Sequence, residues 1–319
     1  MAHDALIGST GFVGTLLTRQ HRFGATFNRA NIDSLPGASF DTVVCAAAPG
    51  SMVTANQDPD GDRRAIDQLT TRLGEVQARH FVLISSIAVL ADFAGGDTED
   101  TQAFQQDLAY GRNRRALEAF CEDRFDECLV VRLPALFGQG LRKNFLFDLM
   151  NPVPSMLPEA LLQPLADQFE PHLRAVLMRL YASDNATGML KLDRPSLDAD
   201  PHRAALDGAV REAGMSATQF HHPCNDYQYY DMDRLWADIC VSRRAGLKHI
   251  HLAVAPLRAA NIHASLTGAP MPDTNAKLHR EDMHTRHAAL WNREGPYLED
   301  AETVMTKLQA FFKRQKGES

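Results

Sequence analysis

The sequence predicts an α/β fold: a doubly wound parallel sheet flanked by helices, followed by a smaller, mainly helical C-terminal region. Three observations predict it. The chain opens on a short apolar run, Ala5-Leu6-Ile7, then Gly8, Gly11 and Gly14 at three-residue spacing, then a helical stretch, FVGTLLTRQH. Apolar, strand-like segments go on alternating with amphipathic ones through residue 150, the pattern of parallel strands with right-handed crossovers. Of the 319 residues, 45% are apolar and 23% charged, a globular composition with material for a real core.

The elements follow in order. A strand, a glycine turn and a helix N-terminus make an anion site. Bare backbone lets a pyrophosphate approach, and the helix dipole and free N–H groups favour its charge. A structural βα turn in some other α/β fold is the alternative. The second strand, GATFN, ends at Asn28, about 20 residues after the first glycine, where a dinucleotide fold reads the adenosine ribose. No carboxylate stands there. Asn28 followed by Arg29 suits the 2′-phosphate of NADP better than NAD; a solvated loop cation is the other reading of Arg29. The third strand, DTVVCAAAPG, ends in Ala46, Ala47, Ala48, Pro49 and Gly50. Such small residues admit a flat cofactor or a closely packed helix. In DGDRRAIDQLTTRLGEV, Ile66, Leu69, Leu73 and Val76 form one apolar helix face. The strand HFVLISSIAVL carries Ser85 and Ser86. After it come a polar loop, the helix DLAYGRNRRALEAF and the buried strand CLVVRLPALFG. A ligand of such a sheet sits beyond the carboxyl ends of its strands. The glycine turn, Ala46–Gly50 and the two serines all fall there.

In this order, G-x-x-G-x-x-G, A-A-A, S-S-x-x-V, Y-x-x-x-(K) and R-L-P-A-L-F-G-Q-G, the sequence resembles the extended short-chain dehydrogenase/reductase family of NAD(P)-dependent nucleotide-sugar epimerases, dehydratases and reductases. The short link from Asn28 to the DTVV strand is similar to the GDP-fucose synthase and dTDP-4-dehydrorhamnose reductase branches. The resemblance covers residues 4–150, returns at 227–239 and 246–262, and does not reach 155–222. It implies a Rossmann-type NAD(P)-binding domain over 1–150. It also implies a substrate or lid region over 151–319, with about 227–262 returning to the core. NADP, with NAD possible, is the implied cofactor, and a sugar or nucleotide sugar the implied substrate. Ser86, Tyr110 and Arg114 occupy the catalytic positions, with Arg114 where the family has lysine. The implied cofactor contacts are Gly8, Thr10, Gly11, Phe12, Val13, Gly14, Asn28, Arg29, Ala46, Ala47, Ala48, Tyr110, Arg114 and Pro134. Candidates for the substrate are Ser85, Asn144, Arg258 and Arg286, the two arginines because a guanidinium grips a phosphate bidentately.

Arg114 poses the sharpest question. A phenol with pKa near 10 is a poor base at neutral pH. One helical turn, about 6 Å along the axis, separates positions 110 and 114, so both lie on one face. Arginine stays charged and lowers a nearby phenol's pKa. It cannot relay a proton, and its longer planar fork would displace contacts made to a ribose. Arg115 points about 100° away and is no substitute. The pair therefore works, works slowly or on altered chemistry, or leaves a dinucleotide-binding regulator or subunit without turnover.

The rest of the chain says less. PEALLQPLADQFEPHLRAVLMRLY has helical periodicity interrupted at Pro164 and Pro171. ASDNATGMLKLDRPSLDADP reads as loop, and HRAALDGAVREAGM as a helix. This region is expected to form a lid, a homodimer surface or both. HHPCND (221–226) clusters potential metal ligands, but consecutive residues rarely converge on one ion, so no metal is expected. His249 and His251 share a strand face and are expected to pack or hydrogen-bond. His284 and His287, three apart, are expected to share a helix face. The last stretch, EDAETVMTKLQAFFKRQKGES, is an amphipathic helix. A net charge of −7 and a pI near 6.0 argue against nucleic acid. No apolar run reaches the ~20 residues of a membrane span. The N-terminus lacks the pattern of a secretory signal. Five scattered cysteines without a C-x-x-C pair read as reduced thiols, hence a cytoplasmic protein.

Overall fold

A computed structural model describes residues 4–185 and 187–317. In chain order its elements begin with β1 Asp4–Ile7, α1 Phe12–Gln20, β2 Ala25–Phe27, β3 Ser39–Cys45, α2 Met52–Gln57, α3 Pro59–Gly74 and β4 Gln77–Ser86. Then come α4 Ala109–Arg124, β5 Cys128–Leu133, β6 Ala135–Phe137, α5 Phe145–Met150, β7 Met156–Leu157, α6 Glu159–Ala166 and α7 Pro171–Leu180. Next are β8 Tyr181–Asp184, β9 Met189–Leu192, α8 Arg194–Asp198, α9 Arg203–Glu212, β10 Asp226–Tyr227 and β11 Tyr229–Asp231. The chain ends with α10 Leu235–Arg244, β12 His249–His251, β13 Leu257–Arg258, α11 Ala259–Thr267 and α12 Ala301–Lys316.

These residues form two compact units. The first comprises the chain up to Leu141, Asp226–Leu257 and everything from Arg280 on; the second comprises Arg142–Asn225 and Arg258–His279.

In the first unit six strands lie in the order β2-β1-β3-β4-β5-β12. Every neighbouring pair is parallel. Ile7 pairs with Phe27 on one side and Cys45 on the other, so β1, β2 and β3 end level. The order reverses about β1, which puts the topological switch point between β1 and β3. One layer of core joins Ile7, Val43, Phe81, Leu83 and Val130 of the sheet to Ile66, Leu69 and Leu73 of α3 and Leu117 and Cys121 of α4. The apolar face read in the sequence of α3 is thus the buried one. Elsewhere α1 and α10 are tied together: Gln20 accepts from the Trp236 backbone N–H at 2.9 Å, and Trp236 stacks on His21 at 4.0 Å. α12 belongs to this unit and sets Phe311 edge-on against Phe137 of β6 at 5.5 Å.

The second unit has its own core, including Leu157, Leu165, Leu177, Leu190 and Leu206. Pro171 opens α7, where its missing N–H costs nothing, while Pro164 lies inside α6. The stretch expected to be loop is not one. Within it β8 and β9 form an antiparallel hairpin that β7 extends to three strands, and α8 follows. Leu190 and Leu192 are buried while Lys191 between them is exposed; four residues were too few for that alternation to stand out in the sequence. A second correction concerns His284 and His287. No helix holds them, and only the short 3-10 turn Ala288–Trp291 follows. His284 instead packs edge-on against Tyr297 at 5.3 Å. His249 and His251 do hydrogen-bond as expected, to Glu122 at 2.7 Å and Arg132 at 3.1 Å. Among the described residues no helix is long and apolar enough to cross a membrane, and no group of three or more His, Cys, Asp or Glu side chains is placed to hold a metal ion.

Candidate functional site

The first part of the site is the turn after β1. Gly8 has φ +91°, and a Cβ there would stand 2.4 Å from the Ala46 carbonyl oxygen. A Cβ on Gly14 would stand 2.1 Å from the Gly8 carbonyl oxygen. Both glycines are therefore required by the protein's own packing, which brings the end of β3 against the turn and the first turn of α1 against Gly8. Gly11 differs: its Cβ would meet nothing closer than the Gly8 carbonyl oxygen at 3.5 Å, an ordinary contact. It is the N-cap of α1 and offers no side chain to the helix's free N–H groups. Thr10 and Gly11 are exposed, Phe12 and Val13 half-buried. Ala46, Ala47 and Ala48, half-buried, continue from β3 beside this turn. Asn28 shapes the next turn: its side-chain oxygen accepts from the Ala30 N–H at 2.9 Å, and its own N–H donates to Asn31 at 2.7 Å. Arg29 extends beyond it, exposed. Pro134 is buried in the link between β5 and β6.

The second part is built on β4 and α4. Ser86 closes β4, and its hydroxyl accepts from the Ala88 N–H at 3.2 Å, capping the turn Ile87–Val89. A Cβ on Gly111 would come within 1.9 Å of the Ala88 carbonyl oxygen. α4 therefore lies directly on the turn that Ser86 caps, and this approach brings the Tyr110 phenol close enough to the Ser86 hydroxyl for the two to interact. The Tyr110 backbone N–H, otherwise free in the first turn of α4, donates to Asn56 of α2 at 3.0 Å.

Arg114 is 3% exposed. Its guanidinium lies over the Tyr110 ring, 3.9 Å from the centroid. It is ion-paired with Asp62 of α3 and donates to the Pro49 carbonyl. Asn113 donates to the same Asp62 oxygen at 2.8 Å. The Arg114 Nε has no hydrogen-bond partner among the described residues. The phenol's pKa is raised. Burial is the main cause, Arg114 pulls it down, Asp62 pushes it up, and hydrogen bonds from Ser86 and Arg114 pull it down again. The lowering expected from an arginine at this place is present but overridden.

No sequence motif singles out Asp62. Its signal is its position: four residues before Ile66, it continues the apolar stripe of α3, where a carboxylate needs a partner.

Two of the four substrate candidates, Ser85 and Arg286, are engaged within the first unit. Adjacent residues of a strand face opposite ways, and Ser85 turns from Ser86 to donate to buried Glu118 at 2.6 Å. Glu118 also receives the buried Arg132 at 2.8 Å and Arg115 at 3.0 Å. Ser85 thus belongs to a closed internal network rather than to a substrate. Arg286 is exposed and paired with Asp100. Asn144 and Arg258 belong to the second unit. Asn144, at φ +108°, caps α5 by accepting from the Phe147 N–H at 3.2 Å, and Arg258 is exposed at the start of α11. A separate cleft of about 870 Å³ lies at the amino ends of β4, β5 and β12, lined by Cys128, Leu129, Cys240 and Lys248 among others, away from the glycine turn.

Six parallel strands flanked by helices, with a glycine turn at the switch point, define a Rossmann-like α/β protein. Solved structures share the fold along the whole chain. A dTDP-4-dehydrorhamnose reductase from Bacillus anthracis, in complex with NADP, superposes with a TM-score of 0.57 at 12% identity, covering 98% of this chain and 99% of that one. A UDP-N-acetylglucosamine 4-epimerase from Methanobrevibacter ruminantium, in complex with UDP-N-acetylmuramic acid, gives 0.60 at 10% identity over 100% and 99%. A mutant UDP-glucuronic acid 4-epimerase from Bacillus cereus, with NAD and a fluorinated sugar nucleotide, gives 0.58 at 11% over 99% of both chains. No family model and no curated protein matches the sequence. At these identities the likeness is one of fold.

Proposed function

We propose that the protein is an NADP-preferring oxidoreductase or epimerase of the extended short-chain dehydrogenase/reductase kind, acting on a carbonyl or hydroxyl of a sugar, most simply a nucleotide-linked one. The observation that carries the proposal is the neighbouring Ser86 hydroxyl and Tyr110 phenol, brought together where α4 packs on the end of β4, at the same carboxyl-end edge of the sheet as the glycine turn. The turn fits a dinucleotide. Gly8 and Gly14 shape it, and Gly11 leaves backbone bare at a helix N-terminus where a pyrophosphate would be held. Arg29 is the residue for a 2′-phosphate. A bound nicotinamide would supply or take up a hydride. Ser86 would hydrogen-bond the reacting oxygen and Tyr110 would exchange a proton with it. On this reading the first unit binds the dinucleotide, and the second contributes the substrate region, with Asn144 and Arg258 as its candidate contacts.

Trp236, which stacks on His21 at the end of α1, serves as the fluorescent probe. Titration with NADPH should change its fluorescence at concentrations about tenfold or more below those NADH requires, and Arg29→Ala should erase most of that difference, a loss of about 1.4 kcal/mol. Failure of both nucleotides to bind ends the proposal. The pairing of Arg114 with Asp62 favours a second reading, a dinucleotide-binding regulator or subunit without turnover. Binding of NADPH with no oxidation of it by any nucleotide-linked keto sugar would select that one.

A further inference from the structure

We propose that Asp62 is a positioning residue that holds Arg114 against the Tyr110 ring and offsets its charge, so that Tyr110 works as a protonated phenol and the substrate is a carbonyl to be reduced. This deepens the reading above and rests on it for the placing of substrate beside Ser86 and Tyr110.

The geometry carries the inference. A cation meant to favour a phenolate must keep its charge available. Arg114 does not: it is 3% exposed, ion-paired with Asp62, bonded to the Pro49 carbonyl and, at 3.3 Å, to the carbonyl of Tyr110. Asp62 is held in turn by Asn113 at 2.8 Å and is 8% exposed, so neither partner swings out to water without breaking a buried pair. The charged groups bearing on the phenol are Arg114 from its own helix and Asp62 from α3; Ser86 and Asn56, from β4 and α2, are neutral. Asp62 offsets part of the Arg114 charge, and burial is the leading cause of the phenol's raised pKa. Such a phenol holds its proton at neutral pH and gives it up only to a developing alkoxide.

The step balances. The carbonyl carbon would take a hydride that a bound reduced nicotinamide supplies as the C=O π bond breaks, and the oxygen would take the Tyr110 proton. The substrate gains two electrons that the nicotinamide loses, and the phenolate recovers its proton from solvent. The reverse reaction needs a deprotonated phenol at the start, which this setting disfavours.

The test follows tyrosinate ultraviolet absorbance against pH, with neither cofactor nor substrate present. Subtracting the Tyr110→Phe variant isolates Tyr110 from the other five of the six tyrosines. Tyr110 should ionise above the ordinary value of about 10. Asp62→Asn frees the Arg114 charge and should lower that midpoint by about one pH unit or more. Arg114→Gln leaves the Asp62 charge unopposed and should raise it. A midpoint unmoved in Asp62→Asn overturns the inference. Should that variant not fold by circular dichroism, Arg114→Gln decides, and a midpoint that holds or falls overturns it. In kcat/KM for reduction, the fall in rate at high pH should move down with that midpoint in Asp62→Asn, by about one pH unit. Because the titration uses no nucleotide, its outcome is separate from that of the NADPH experiment: absent binding sinks the enzyme reading, an immobile tyrosine sinks the role of Asp62.

Discussion

At Gly14 an added methyl would stand 2.1 Å from a backbone oxygen, whereas at Gly11 the nearest protein atom is 3.5 Å away. Alanine at these two positions should therefore separate folding from binding. Gly14→Ala should destabilise the protein on the order of 3 kcal/mol, by forcing α1 off the turn. Gly11→Ala should keep the wild-type urea midpoint and weaken NADPH at least about tenfold, a difference of about 1.4 kcal/mol. A Gly11→Ala protein that binds normally would show that nothing approaches this backbone. Single residues were legible in proportion to how local their partners are. The glycine spacing and the Ser86 and Tyr110 positions stood out in sequence, because each belongs to a short pattern. The partner of Arg114 did not, because Asp62 lies 52 residues away on another helix. The family motif picks Ser86 over Ser85, but it does not say where either side chain points. Strand alternation says only that they face opposite ways; α4 decides which meets the phenol and which meets Glu118.

α4 presents a different polar network on each side. Tyr110, Asn113 and Arg114 meet α2 and α3, while Glu118 and Glu122, joined by Arg115 of the same helix, meet Arg132 of β5 and His249 of β12. A helix this polar reads in sequence as a solvated surface element, yet Asn113, Arg114 and Glu118 are buried. Charges opposite one another across helices and strands make that possible, and no local periodicity shows them. Glu122 gives the network a pH signature. Its carboxyl is held at about 2, first by the hydrogen bond with His249 and also by Arg115. A carboxyl depressed in the folded state stabilises fully above its unfolded pKa of about 4.5 and loses that contribution as pH falls toward 2. Glu122→Gln should thus cost on the order of 1 kcal/mol at pH 7, discounted for its partial exposure. The difference from wild type should shrink between pH 4.5 and 2. Urea midpoints measured across that range check it, and a gap independent of pH would refute the assignment.

For the molecule as a whole, the thiols offer a simple measure of how much of the chain is locked away. Cys45, Cys121 and Cys128 are buried, Cys224 and Cys240 half-buried. Burial pushes the Cys45 thiol up to about 11 and Cys128 to about 12. A thiol reagent should find two reactive sites in the native protein and all five after unfolding; rapid modification of a third would contradict the core as described. The alternation of strands and helices that builds this core was readable because each element buries one continuous face. The small sheet of the second unit was not, its strands being only two to four residues long. The division into units also sets an order of events. The chain passes between them four times, after Leu141, Asn225, Leu257 and His279. A nascent polypeptide stopped at His279 has already made its glycine turn and all six strands of the main sheet, but not the helix that lays Phe311 on Phe137. Until the last few dozen residues leave the ribosome, that aromatic surface stays uncovered, and a stalled translation product should be drawn to chaperones through it.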